Sequence, residues 1–256
     1  MVTGKASSFS PFEHFSARFR LELTAGLDLF IALHEGYCFF GVKDSATQQI
    51  MGVGCCPVSL WVKHPLAQTP FKNKYWMVSS FGARVLPEPF AELKTEGNAL
   101  FWCPSSGLWL EWSKAQTVSF SLDNSFQEVP HTAIFLESNK GTLSDKNDYI
   151  AIHFWGTGFE MVHYRNGKLH SFKQEECKSA HDAAYHGLQL VQSLKIAPNE
   201  LDVQLYGFQL EELKSLLAAF LPSVSVFSTG KEMDLDLLIP DQSPIYYLLF
   251  QSELCV

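Results

Sequence analysis

Two closely spaced tight turns in the second half of the chain constrain its fold more than any other feature. Gly156–Thr157 and Asn166–Gly167 each separate two apolar runs of strand length. A two-residue turn that begins with glycine fits type II′, and Asn-Gly is the strongest short hairpin signal, because both turn types match the twist of paired strands. We therefore predict a three-stranded antiparallel meander, made of residues 149–155, 158–165 and 168–174.

These turns also predict how the histidines pair. If both turns have two central residues, His153 lies opposite Glu160, and His163 lies opposite His170. Residues 160 and 163 point to opposite faces of the middle strand, because side chains alternate along a strand. The three histidines and Glu160 therefore do not converge on one metal ion, and we expect no metal site. We also find no pattern that places a catalytic Ser/His/Asp or Cys/His set.

Helices and further strands are predicted after the meander. Ser179 is placed to cap a helix, with Asp182 three residues later, and the helical spacing of apolar residues continues to Leu194. The remaining elements are a strand at 201–208, an amphipathic helix at 210–220 and a strand at 223–228. The predicted order is β-β-β-α-β-α-β.

The first half of the chain repeats this order, which predicts an internal duplication. Its elements are strands at 27–33, 37–44, 47–54 and 75–82, a short helix in LPEPFAELKTEG and a last strand at 99–103. We predict a mixed α/β protein with two lobes. The boundaries are 20–103 for the first lobe, 104–145 for a connecting hairpin segment and 146–256 for the second lobe with a C-terminal extension.

Composition restricts the class of partner. The net charge of −8 and the lack of a basic stripe argue against nucleic-acid binding, which needs clustered Lys and Arg. No apolar run is long enough to span a membrane, and the N-terminus lacks the pattern of a signal peptide. We therefore expect a cytoplasmic protein. Its six cysteines form no C-x-x-C pair and are expected to be buried thiols.

The chain resembles a bacterial family of uncharacterised proteins that have a duplicated ribonuclease H-like fold. The matching stretches are FEMVHYRNGKLHSF, SAHDAAYHGLQLVQSLKIAPNEL and ARVLPEPFAE. The resemblance covers about residues 20–230 and implies the fold of the actin, sugar kinase and Hsp70 superfamily. It implies two tandem β-β-β-α-β-α-β ribonuclease H-like lobes in the actin-like arrangement. The family itself has no assigned chemistry.

The resemblance also implies where a nucleotide would bind. Members of the superfamily that use ATP hold it between the lobes, with the phosphates at the turn between the first two strands of each lobe. The corresponding residues here are Gly36 in the first lobe, and Gly156, Thr157 and Gly158 in the second. Gly207 corresponds to a Gly-Gly pair that touches adenosine. The expected Asp is missing from both turns; His153, Phe154 and Trp155 stand at its place in the second, and Gly207 is followed by Phe208.

These degraded motifs favour a non-catalytic scaffold or adaptor that has no cofactor and binds a protein partner. By analogy, relatives in the superfamily act in pilus and secretion platforms. The aromatic residues Trp109 and Trp112 are candidates for the partner surface, because aromatic side chains anchor interfaces. The alternative is a nucleotide-binding protein, a weak ATPase or kinase-like enzyme, that binds ATP or ADP with magnesium in the cleft between the lobes.

Overall fold

The structure is a computed structural model, and two compact units make up the part of the chain that it describes. One unit contains residues 10–78, 125–134 and 243–255, and the other contains residues 82–113 and 135–227. The described residues are 10–34, 36–78, 82–88, 92, 95–104, 106–113, 125–140, 148–155, 158–207, 210–227, 243–251 and 255.

The sheet of the second lobe has five strands, in the order β12-β11-β10-β13-β14. They are β10 (Asp148–Phe154), β11 (Gly158–Arg165), β12 (Lys168–Glu176), β13 (Leu201–Gly207) and β14 (Val224–Val226). The first three strands form the predicted antiparallel meander, and β13 and β14 are added in parallel. His153 lies opposite Glu160, which confirms the register predicted from the first turn.

One predicted pairing in this meander is wrong. His163 lies opposite Ser171, not His170, because the register of β11 and β12 shifts between His163 and Tyr164. An extra residue in an edge strand forms a β-bulge, and a two-residue turn does not predict it. The rings of His163 and His170 still meet edge to face, with centroids 5.0 Å apart. His163 is fully buried and is not on a solvated face.

The first lobe has the same strand order with one extra edge strand, β1-β4-β3-β2-β5-β9. Its strands are β1 (Phe12–Phe15), β2 (Leu27–His34), β3 (Tyr37–Asp44), β4 (Ile50–Pro57), β5 (Asn73–Val78) and β9 (Phe126–Pro130). Without β1, the order of both sheets is third, second, first, fourth and fifth strand. The duplicated ribonuclease H-like topology is therefore confirmed.

A separate sheet, inserted between the fourth and fifth strands of the first lobe, was not predicted. It contains β6 (Arg84–Pro87), β7 (Asn98–Cys103) and β8 (Leu108–Ser113), in the order β6-β8-β7. The predicted last strand of the first lobe, 99–103, belongs to this insertion. The true fifth strand is β9, which pairs with β5. Leu86 and Pro87, predicted as helical, lie in β6.

The ranges of the two compact units differ from the predicted boundaries at 20–103, 104–145 and 146–256. The inserted sheet belongs to the same compact unit as the second sheet, whereas β9 belongs to the unit of the first sheet. A hairpin such as β7–β8 is local in sequence, so its pattern gives no sign of which larger sheet it accompanies.

Helices connect the strands. They are α1 (Val58–Trp61), α2 (Pro65–Gln68), α3 (His131–Lys140), α4 (Ala180–Leu194), α5 (Leu210–Ala218) and α6 (Ser243–Phe250). The predicted cap of α4 is confirmed, because the hydroxyl of Ser179 accepts a hydrogen bond of 3.2 Å from the N–H of Asp182. The buried face of α4 carries small residues that include Ala183 and Gly187, so the helix lies close to the second sheet.

Each of the two large sheets has its own hydrophobic core. Ile152, Phe159 and Leu205 of the second sheet pack with α4 and α5, and Ile31, Phe40 and Trp76 belong to the core of the first sheet. All six cysteines are buried and none forms a disulfide, as predicted. Within the described part of the chain, no helix combines the length and apolar character needed to cross a bilayer.

A core substitution tests the packing of the second lobe. Phe159→Ala removes a fully buried ring, whereas Phe220→Ala removes a ring that is 65% exposed. We expect Phe159→Ala to lower the free energy of unfolding by about 3–5 kcal/mol. We expect Phe220→Ala to change it by less than about 0.5 kcal/mol. Urea denaturation measures both; equal losses in the two variants would contradict this assignment of the core.

Candidate functional site

The carboxyl ends of parallel strands are where ligands bind in open α/β sheets. In the second lobe, β10 and β13 run parallel and end together, with Phe154 opposite Gly207. The turn into β11 follows directly after β10. Of the residues predicted to hold phosphate there, Gly158 begins β11, and Gly156 and Thr157 lie outside the described residues. The contacts of Trp155, Gly158 and Gly207 therefore describe this strand end.

Both the side chain and the backbone of Trp155 contact Gly158. The N–H of Trp155 donates a hydrogen bond of 3.1 Å to the carbonyl of Gly158. A Cβ atom at Gly158 would lie 2.9 Å from the indole ring of Trp155, which is closer than real Cβ contacts. The ring therefore rests directly on this glycine. The backbone donor that precedes the turn is already used within the hairpin.

Gly207 is required by close packing of the two strands. Its φ is +105°, and a Cβ atom there would lie 1.9 Å from the carbonyl oxygen of Phe154 and 2.9 Å from the ring of His153. Only glycine fits this combination of backbone conformation and approach. Phe208 lies outside the described residues. The role that the structure gives to Gly207 is thus contact with β10.

Buried polar residues lie next to this end of the sheet. His153 and Glu160 face each other across β10 and β11, and both are buried. The side-chain amide of Gln174 on β12 donates to a carboxylate oxygen of Glu160. Positions 153, 154 and 155 are His, Phe and Trp, so no carboxylate occupies the end of β10 itself.

The corresponding turn of the first lobe joins β2 to β3. Gly36 has a φ of +80°, and its carbonyl accepts a hydrogen bond of 2.9 Å from the N–H of Val58 at the start of α1. Burial, together with the nearby imidazole of His131, lowers the pKa of His34 to about 4. His34 is therefore neutral at pH 7 and brings no positive charge to this turn. Glu35 lies outside the described residues.

The two candidate partner-binding tryptophans do not share a surface. They are three residues apart on β8, so their side chains lie on opposite faces of the inserted sheet. Trp112 is only 4% exposed. Trp109 is half-buried and pairs with Trp102 of β7, with ring centroids 5.1 Å apart. Because side chains alternate along a strand, the sequence of β8 already predicts that the two rings lie on opposite faces.

A charged cluster at the opposite end of β10 was missed in the sequence. Asp148 accepts a hydrogen bond of 2.7 Å from Nε2 of His163 and one of 2.8 Å from Nε of Arg165. Burial acts to raise the pKa of Asp148, but these two hydrogen bonds outweigh it and lower the pKa. Burial lowers the pKa of His163 despite the neighbouring carboxylate. The cluster consists of a partly exposed ion pair between Asp148 and Arg165 together with the buried ring of His163, and it lies at the start of the sheet.

Known structures resemble this chain, although no protein-family model and no curated protein matches its sequence. A crystal structure of a Bacteroides thetaiotaomicron protein, described as having an actin-like ATPase fold and unknown function, matches with a TM-score of 0.69. The chain has the actin-like ATPase fold. The identity is 14%, over 85% of this chain and 96% of the other, so the likeness shows the fold alone.

A second structure with the actin-like fold is the PilM–PilN type IV pilus biogenesis complex. It matches with a TM-score of 0.60 at 10% identity, over 89% of this chain and 97% of that chain. The actin-like fold implied by the resemblance is thereby confirmed. Since one fold hosts many functions, activity must be argued from the contacts at the strand ends.

Two glycine substitutions distinguish the energetic cost of backbone strain from the cost of steric overlap. Gly36→Ala and Gly207→Ala both place alanine at positive φ, but only Gly207 has neighbours within 4 Å of the added methyl group. We expect Gly36→Ala to lower the free energy of unfolding by about 1 kcal/mol. We expect Gly207→Ala to cost about 1–3 kcal/mol more, because the methyl group overlaps β10. Urea denaturation measures both, and equal costs would show that β13 does not approach β10 this closely.

Proposed function

We propose that the protein is a non-catalytic scaffold or adaptor that uses an actin-like fold to bind a protein partner. The observation that carries this proposal is the packing at the end of β10 and β13. There, Gly207 lies against the carbonyl of Phe154, and the indole of Trp155 lies on Gly158. This close packing lies at the strand end where open α/β sheets bind ligands.

The chemistry of phosphate binding supports the same conclusion. A phosphate site needs backbone N–H groups that point outward, and bound magnesium needs carboxylate oxygens. The N–H of Trp155 is used by Gly158, and the end of β10 carries His, Phe and Trp. In the first lobe, His34 is uncharged at pH 7 because burial lowers its pKa to about 4. Among the described residues, the end of β10 itself thus brings no carboxylate, and His34 brings no positive charge to the turn of the first lobe.

The use of the fold in another protein supports partner binding by analogy. One structure with a similar fold is a complex of two proteins, PilM and PilN, in type IV pilus biogenesis. On this chain, we assign the partner surface to Trp109, whose half-buried ring lies on one face of the inserted sheet beside Trp102. Trp112 supports that sheet from its buried face. Half-buried aromatic rings lose little conformational entropy on binding and often anchor interfaces.

Nucleotide addition separates this proposal from the alternative of a nucleotide-binding protein. A ligand that binds only the folded state stabilises it by RT ln(1 + [L]/Kd), so ATP with magnesium at about a hundred times Kd would add about 2.7 kcal/mol. We expect no change in melting temperature with ATP or ADP and magnesium at about 5 mM, beyond that given by pyrophosphate and magnesium at equal ionic strength. A nucleotide-specific rise of several degrees would contradict the proposal.

Substitution of Trp109 tests the assigned surface. Proteins that co-purify with the wild-type chain from its own cells are identified by mass spectrometry and then produced for binding assays. We expect Trp109→Ala to weaken binding of the true partner about tenfold or more. The control is Tyr185→Ala, which removes an exposed aromatic ring from the same compact unit. Equal binding by wild type and Trp109→Ala, with both folded, would contradict the assignment.

A further inference from the structure

One face of the inserted sheet carries a row of apolar side chains across all three of its strands. Leu86 of β6 lies opposite Trp109 of β8, and Trp109 lies opposite Trp102 of β7. Directly opposed residues place their side chains on the same face of a sheet, so the three form one continuous row. All three side chains are half-buried. We call these three residues the apolar row.

The opposite face of the inserted sheet is already packed. There, Leu110 and Cys103 are fully buried, and Trp112 is only 4% exposed. The indole N–H of Trp112 is also buried. A partner that binds a face of this sheet therefore meets the apolar row.

The apolar row offers hydrogen-bond donors and no acceptors. An indole ring carries one donor, its Nε1–H, and no acceptor, and a leucine side chain carries neither. Within the part of the chain that the structure describes, neither Trp102 nor Trp109 uses this donor in a hydrogen bond. The occupant that matches the row is an apolar segment that supplies acceptors and has few donors of its own.

A proline-rich segment has this chemistry. Proline has an apolar ring and a backbone carbonyl but no N–H, and a polyproline II helix makes no internal hydrogen bonds. An α-helix uses its carbonyl groups internally, and an added strand pairs with the edge of a sheet and not with its face. Among the common modes of peptide recognition, polyproline II binding is therefore the one that brings free carbonyl groups to the two indoles.

The width of the row fits one repeat of such a helix. Neighbouring strands lie about 4.8 Å apart, so the row spans about 10 Å from β6 to β7. A polyproline II helix rises about 3.1 Å per residue, so prolines three residues apart are separated by about 9 Å. One proline ring can contact the paired indoles of Trp102 and Trp109 while a second contacts Leu86.

The charges beside the row favour a basic residue next to the prolines. On the same face, Arg84 is already paired with Glu111, which accepts from its Nε at 2.9 Å. Glu88 lies two residues beyond Leu86, is exposed, and forms no ion pair among the described residues. The chain as a whole has a net charge of −8. Charge complementarity therefore favours Lys or Arg at one end of the bound segment.

We infer that the apolar row binds a proline-rich segment of a partner protein in the polyproline II conformation, with a basic residue at one end. The proline rings pack on the row, the carbonyl groups accept from the two indoles, and the basic residue pairs with Glu88. This inference rests on the proposed role in partner binding, and it names the chemistry of the segment that contacts Trp109.

The first test adds a synthetic peptide to the ¹⁵N-labelled full-length chain. The peptide has about ten residues, a lysine followed by prolines. The indole N–H signals of Trp102 and Trp109 are assigned in the NMR spectrum with Trp102→Phe and Trp109→Phe. We expect both signals to shift as peptide is added, and the signal of the buried Trp112 to shift far less. A shift in neither signal would overturn the inference.

A failure of this test is distinguishable from a failure of the adaptor role. If the peptide does not bind but Trp109→Ala still weakens binding of the co-purified partner, the proline-rich segment is excluded and the adaptor role stands. If neither the peptide nor the partner depends on Trp109, the assigned surface is itself wrong.

The second test asks which groups carry the binding. A peptide with alanine in place of every proline should bind about tenfold more weakly or worse, because it loses the rings and the preformed conformation. Trp109→Phe keeps an aromatic ring but removes the indole donor, and we expect it to weaken the proline peptide about fivefold. Tyr185→Phe is the control and should bind as the wild type does. Equal affinity of the alanine peptide, or of Trp109→Phe, would overturn the inference.

The third test concerns the basic residue. Two peptides are compared, one that begins with lysine and one that begins with glutamine. We expect Glu88→Gln to weaken binding of the lysine peptide about two- to fivefold, because an exposed ion pair is lost, and to leave the glutamine peptide unchanged. Equal effects on the two peptides would overturn the predicted charge complementarity.

Discussion

The contact between β10 and β13 at Phe154 and Gly207 is the constraint on which our account of this protein depends. In an open α/β sheet, the carboxyl ends of the parallel strands are the natural ligand site. Here the second of these strands ends in a glycine that lies against the carbonyl of the first. The resemblance assigns Gly207 to contact with adenosine, but in the structure this glycine allows β13 to pack against β10.

In both lobes, the described residues at the strand end differ from those of a nucleotide site. In the second lobe, the indole ring of Trp155 lies on Gly158, and in the first lobe, a neutral histidine lies beside the turn. In the role that we propose, the fold binds a partner and does not turn over a nucleotide. The inserted sheet adds a candidate surface, with the half-buried ring of Trp109 on one face. Partner binding is therefore the role that the described contacts favour.

Local signals in the sequence predicted much of the fold correctly. The two glycine turns predicted the meander and the pairing of His153 with Glu160, and Ser179 predicted the start of α4. These features depend on residues that are near one another in the chain. The repeated order of elements was sufficient to predict the duplication, because each lobe repeats the same strand order.

Features that depend on distant pairing were missed. Residues 98–103 have the pattern of a core strand, but they pair with β8 in a separate sheet, and the fifth strand of the first lobe is β9. The bulge at His170 was invisible because it arises from the shape of an edge strand. The site residues were only partly predictable. The sequence shows that Asp is missing from the turns, but only the structure shows that Trp155 contacts Gly158 and that Gly207 contacts Phe154.

A crystal structure of the chain grown with ADP and magnesium tests the central claim most directly. Our account predicts that the strand end of the second lobe contains no nucleotide. It also predicts that the indole of Trp155 lies on Gly158 and that Gly207 lies in contact with the carbonyl of Phe154. A nucleotide bound at this position, with Trp155 displaced and the backbone N–H groups turned toward its phosphates, would contradict the account.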